Sequence, residues 1–287
     1  MQGEKRFDVA FAPQLCCSPR GGDGMKARVE GTAIEYDIRG VGPAVLFLHA
    51  FPLRLSMWDA EAEALAVTHR VVRFDARGFG GTPPGDEPLS MERIADDAAA
   101  LFDHLAIDRA VVAGCSMGGY AALAFVRRHP HRLAGLVLQD TRAGADTEEA
   151  KANRAALAAR VLTEGAVAAA EAFLPKLVGE TTRRERPELV ARIREWILAT
   201  SPRGIANALH GLAARVDSRD TLATVDVPTL VLVGEEDTLT PKAEAEALAA
   251  GIRGSRLEVI PRAGHLANLE NPKAVHQALR RFLVELP

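Results

Sequence analysis

The chain has 287 residues, 48% hydrophobic and 25% charged, with a formal net charge of −3. This composition suits a globular protein with a large core and excludes a disordered or low-complexity chain. No long basic run and no apolar stretch of membrane length occurs, which argues against nucleic acid and against a spanning helix, and leaves the oligomeric state open. Cys16, Cys17 and Cys115 offer neither a disulfide framework nor metal-ligand spacing, so a cytoplasmic protein is the expectation.

Residues 1–24 hold Pro13, Pro19, the cysteine pair and Gly21-Gly22-Asp23-Gly24 without useful periodicity, and read as a disordered extension or as sequence upstream of a second candidate start at Met25. From Lys26 the order is regular. Ala27 to Glu30 and Ala33 to Ile38 alternate as a hairpin closed at Gly31-Thr32. Ala44 to Leu48 is a continuous apolar run, as in a strand buried on both faces, and ends at His49-Ala50-Phe51-Pro52. Trp58 to Ala66 reads as a short helix and Val71 to Phe74 as another buried strand. The loop from Asp75 to Thr82 follows, with Asp75 and Arg77 expected to hold it by local hydrogen bonds. Ser90 opens a helix running to about Leu105.

Next come a β-prone run (Ala110 to Ala113), Gly114-Cys115-Ser116-Met117-Gly118-Gly119, and a helix-prone run (Tyr120 to Arg128). The spacing Gly114-x-Ser116-x-Gly118 between strand and helix is a nucleophile elbow: a tight turn that lifts the serine hydroxyl into a cleft. Side chains at the two glycines would clash with strand and helix. The helix start aims the Met117 N–H at the place where an oxyanion would form.

A strand at Leu136 to Gln139 ends at Asp140. From about Thr147 to Leu222 the periodicity is helical only, with breaks at Gly165, Pro175, Gly179, Pro187 and Ser201-Pro202, suggesting about four helices. Strand Thr229 to Val233, helix Lys242 to Ala250, strand Arg256 to Ile260 and helix Ala274 to Val284 complete the chain. Alternating strands and helices imply a mostly parallel sheet, and the helical block an insertion over the strand ends. The expected division is a core of residues 25–143 and 223–287, with a cap at 144–222.

A serine is a weak nucleophile until a base, oriented by an acid, takes its proton. In an elbow architecture these follow in the order Ser, Asp or Glu, His. Asp237 lies just past the strand Thr229 to Val233, and His265 in the loop after the last strand. Asp140, after the preceding strand, competes for the acid role. Glu235 and Glu236 read as solvated loop charges, and His129 and His131, flanking Pro130, as structural. The eight histidines are not paired at metal-ligand spacing, so no metal site is expected. A second oxyanion donor is expected at the Phe51 N–H. Phe51, Leu53 and Met117 would line an apolar pocket, with Trp196 and Phe173 as further candidates, although each is as readily cap core.

These residues resemble the α/β-hydrolase fold superfamily. The likeness covers Lys26 to Leu286 and rests on LFLHAFP (46–52), RFDARGFGGT (73–82), GCSMGG (114–119), VPTLVLVGEED (227–237) and AGHLANLENP (263–272). Closer similarity is to small bacterial esterases and 3-oxoadipate enol-lactonases, through ILATSPRGIANAL (197–209) and HLANLE (265–270). His49-Ala50 stands where the family has His-Gly, and the lactonases carry an Asn-Ser-type sequence at this loop. The resemblance implies an α/β fold with a mostly parallel eight-stranded sheet and an all-helical cap after the sixth strand. It also implies a serine hydrolase of small esters or lactones that needs no cofactor. The same triad serves perhydrolases and C–C bond hydrolases, and a non-catalytic binding protein could use the pocket without turnover.

Overall fold

The computed structural model describes residues 24–286. Apart from Gly24, the extension expected over residues 1–24 lies outside the described residues. Strands β1 (Met25–Val29) and β2 (Thr32–Arg39) form an antiparallel hairpin. Its two turn residues, Glu30 and Gly31, have φ of 43° and 80°. A tight hairpin needs that left-handed backbone to match the twist of its strands. β1 alternates between exposed and buried residues, as a sheet with one wet face requires.

β3 (Ala44–Leu48), β4 (Arg70–Phe74), β5 (Ala110–Cys115), β6 (Leu133–Gln139) and β7 (Thr229–Gly234) are buried on both faces, and all but β4, which carries Arg70 and Arg73, are nearly continuous apolar runs. β8 (Arg256–Ile260) closes one edge and is more exposed. The eight strands run in the order β1-β2-β4-β3-β5-β6-β7-β8, parallel from β4 to β8. The C-terminal ends of β5, β6, β7 and β8 therefore lie side by side, where Ser116, Asp140, Asp237 and His265 follow in turn.

A 3-10 turn (Leu55–Trp58) leads into helix α1 (Asp59–Leu65). α2 (Met91–His104) is capped by Ser90, whose hydroxyl accepts the Arg93 N–H at 3.0 Å. α3 (Met117–Arg128) begins directly at the elbow and packs on α2. The stretch between β6 and β7 holds six helices, not about four: α4 (Glu148–Glu164), α5 (Val167–Leu177), α6 (Glu180–Glu185), α7 (Pro187–Leu198), α8 (Pro202–Ala213) and α9 (Arg219–Leu222). Gly179 and Pro187 each start a new helix, splitting off the short α6, while Pro175 falls within the last turn of α5. The segment leaves and rejoins the sheet at one place, where Ser218 N–H donates to Ala143 O at 2.9 Å. α10 (Lys242–Gly251), α11 (Ala267–Glu270) and α12 (Pro272–Val284) complete the chain.

Candidate active site

Ser116 has φ 53° and ψ −111°, a strained backbone for a residue with a side chain. The flanking glycines are steric necessities. A Cβ on Gly114 would sit 2.1 Å from Gly118 O, and one on Gly118 would sit 2.2 Å from Leu48 O. The turn is held from below by Ser116 N–H donating to Gln139 O of β6 at 3.0 Å. Helix α3 makes its first bonds from Gly119 N and Tyr120 N to Ser116 O. The Met117 N–H precedes them and has no intrahelical acceptor, as at any helix start.

His265 is buried, and its Nδ1 donates to Asp237 Oδ2 at 2.8 Å. Since the carboxylate accepts, Nδ1 carries a proton, and in a neutral ring the lone pair is then on Nε2. Asp237 is itself fixed: Oδ1 accepts from Leu239 N (2.8 Å) and Thr240 N (3.1 Å), and Oδ2 from Thr240 Oγ1 (2.6 Å). Burial pushes the Asp237 carboxyl up, but the charge and hydrogen bond of His265, helped by Thr240, outweigh it and hold the group below its ordinary value.

Asp140 lies in the same layer with a different task. Its Oδ1 accepts Gly234 N at 2.7 Å, and its Oδ2 accepts Ala267 N at 3.2 Å and Gln139 Nε2 at 3.1 Å. It thus ties the end of β7 to the chain just after His265. Full burial and the nearby Asp237 raise its carboxyl well above the ordinary value. Glu270 was not singled out from the sequence. Its Oε1 accepts Gly264 N (3.0 Å) and Leu266 N (3.2 Å), on either side of His265, and its Oε2 accepts Gly179 N (2.8 Å). Its one signal is its place at the end of the HLANLE motif, five residues after the histidine.

Ser116 and His265 line one cleft with Phe51, Met117, Tyr120, Thr240 and side chains of the helical segment, among them Phe173 and Leu177 of α5 and Leu212 of α8. Phe173 and Phe51 meet edge to face across it, centroids 5.1 Å apart. Leu53 and Trp196 lie outside this lining. Leu53 is wholly buried in the core, and Trp196 packs against the core with the Arg192 guanidinium 5.4 Å from its ring centre. Arg142 and Arg154 also face the cleft. Neither was picked out from the sequence, where one reads as a loop residue and the other as a helix face.

The loop carrying Phe51 is set by His49. Its Nδ1 donates to Ala50 O at 3.0 Å, and its Nε2 accepts Ala76 N–H at 3.0 Å. Burial lowers its pKa to about 4, with the Arg54 charge adding to the effect against the Ala50 hydrogen bond, so the ring stays neutral near pH 7. Asp75 holds its loop as expected, accepting Leu55 N and Gly81 N. Arg77 instead reaches across to α2, in a two-pronged pair with Asp97 at 2.8 Å for each bond. Glu236 is no free loop charge: it accepts from Thr181 N (2.9 Å) and Thr181 Oγ1 (2.5 Å) at the start of α6.

A strained serine at a strand–helix turn and an Asp–His pair beyond later parallel strands are features of α/β hydrolases. The model of the alpha/beta hydrolase fold family matches residues 43–272, and the chain belongs to that family. It is 30% identical over 241 residues to 3-oxoadipate enol-lactonase 2 of Acinetobacter baylyi, covering 84% of this chain and 88% of that protein. A thermophilic esterase from Thermogutta terrifontis, solved with malate bound, superposes with a TM-score of 0.88 at 43% identity, covering 92% of this chain and 98% of the esterase. The enol-lactonase from Burkholderia xenovorans gives 0.85 at 31% identity, over 91% of this chain and 100% of the lactonase.

Proposed function

We propose that the protein hydrolyses a small carboxylic ester or lactone through an acyl-serine intermediate. Ser116 Oγ attacks the carbonyl carbon while His265 Nε2 takes its proton. Asp237 holds the ring and stabilises the imidazolium. The N–H groups of Met117 and Phe51 receive the oxyanion. On collapse His265 returns the proton to the leaving alcohol, which stays tethered in a lactone. Water, activated by the same nitrogen, then releases the acid. Helices α4 to α8 act as a cap that supplies the outer cleft wall. Cys115, the one cysteine among the described residues, is a buried free thiol, in keeping with a cytoplasmic setting.

The observation that carries this reading is the 2.8 Å bond from His265 Nδ1 to Asp237 Oδ2, with His265 on the same cleft as the strained Ser116. The esterase and lactonase names of the relatives support the substrate class. The test is hydrolysis of p-nitrophenyl esters from acetate to octanoate, beside a set of lactones. Wild type is expected to turn over the shorter esters, and Ser116→Ala to lose about a thousandfold or more. No turnover by a folded wild type would sink the proposal.

A further inference from the structure

One wall of the cleft is charged, and its charges do not balance. Arg142 and Arg154 line it alongside Ser116 and His265. Behind them the side chain of Asp146 is fully buried. Its Oδ1 pairs with Arg142 Nη2 at 2.9 Å and Arg215 Nη1 at 2.8 Å, and its Oδ2 pairs with Arg154 Nε at 2.5 Å. Three guanidiniums thus share one carboxylate. Tyr120 and, from beyond ion-pair distance, Glu244 also act on Arg142, and three guanidiniums against two carboxylates still leave the cluster positive.

The three arginines are not equivalent. Arg215 is committed to the scaffold: it donates to Leu212 O and Gly144 O, each within about 3 Å, and lies over the Tyr120 ring, 4.3 Å from its centre. Arg142 and Arg215 each keep a buried Nε with no hydrogen-bond partner, but Arg142, unlike Arg215, lines the cleft. Arg154 engages Asp146 through Nε, and among the described residues neither of its Nη groups has a partner. Arg142 and Arg154 stay partly exposed where they line the cleft, and the planar fork of a guanidinium suits a carboxylate.

We propose that this wall is a carboxylate subsite: the substrate is a short ester or lactone bearing a free carboxylate, held by Arg142 and Arg154, with Asp146 as the residue that positions both. This rests on the hydrolase reading for the chemistry, but binding at the wall can be measured without turnover.

The test pairs acids with neutral isosteres. Calorimetry measures the binding of succinate and of succinamide, and ethanol release gives kcat/KM for ethyl hydrogen succinate and ethyl succinamate. In wild type, succinate is expected to bind and succinamide to bind about tenfold or more weakly, with the same preference in kcat/KM. Arg142→Gln and Arg154→Gln are each expected to bring that preference most of the way to unity. Equal binding and equal kcat/KM of the acid and amide in wild type would overturn the proposal, even if neither variant folds. A preference undiminished in both folded variants would overturn it too. A wild type that binds succinate selectively but hydrolyses neither ester upholds the subsite and removes the hydrolase reading.

Discussion

Two buried aspartates sit at neighbouring strand ends, and their partners separate their roles. Asp237 faces the imidazole, whereas Asp140 gives both oxygens to backbone and amide N–H groups. Asp237→Asn leaves the volume unchanged but presents the wrong partner to His265 Nδ1, and kcat is expected to fall by about 10³ to 10⁴. Asp140→Asn leaves one of its backbone donors facing an amide N–H. Its expected effect is a loss of roughly 1–3 kcal/mol in urea unfolding, with a much smaller change in kcat. An Asp140→Asn loss in kcat as large as that of Asp237→Asn, with stability unchanged, would reverse the assignment. At this scale the sequence was readable in the local grammar of the proposed site. Ser116 needs glycines two residues away on each side, and acid and base need strand ends. Arg142 and Arg154 were not readable, because their meaning comes from sharing Asp146, which only the folded chain brings to them.

Among the elements, α5 does most to shape the cleft. It brings Phe173 against Phe51, whose N–H is the proposed second oxyanion donor. Phe173→Ala opens space at the outer wall without touching Ser116, Asp237 or His265. The expected result is a shift of the p-nitrophenyl ester optimum toward longer acyl chains, expressed more in KM than in kcat. An unchanged chain-length profile would show that α5 does not bound the acyl site. The sequence made the helical character of this region plain through its Ala, Leu, Arg and Glu periodicity. It did not reveal which helix faces the cleft. Phe173 and Trp196 carry the same helical signal, yet one lines the cleft and the other packs on the core.

The whole molecule was the most legible scale, since apolar runs buried on two faces and helices between them leave few arrangements besides a parallel sheet. Spatial strand order was less so. β5 and β8 are three ladder spacings apart, roughly 14 Å, and the His265 loop must fold back over that distance. Glu270 and Asp140 brace this excursion by backbone hydrogen bonds. Global stability should carry the mark of His49. The ring has a pKa of about 4 when folded, against an ordinary 6.5. Above pH 6.5 both states hold it neutral. As pH falls, the unfolded chain takes up the proton first, so stability drops through the window from 6.5 to about 4. The full effect is at most about 3 kcal/mol. Glu61 and Asp140, with raised carboxyls, tilt stability the other way, so the readout is a difference between proteins. The stability gap between wild type and His49→Gln in urea is expected to narrow from pH 7 to pH 4. A constant gap would count against a buried neutral ring.

The bond from Ser218 N–H to Ala143 O, and that from Arg215 to Gly144 O, bring the two ends of the α4–α8 stretch together beside the sheet. A segment whose ends meet can be exchanged as a single cassette, provided that the replacement also meets Glu236 and Glu270, which now accept from Thr181 and Gly179. On the proposed reading, exchanging that segment changes which substrate fits while Ser116, Asp237 and His265 stay in place.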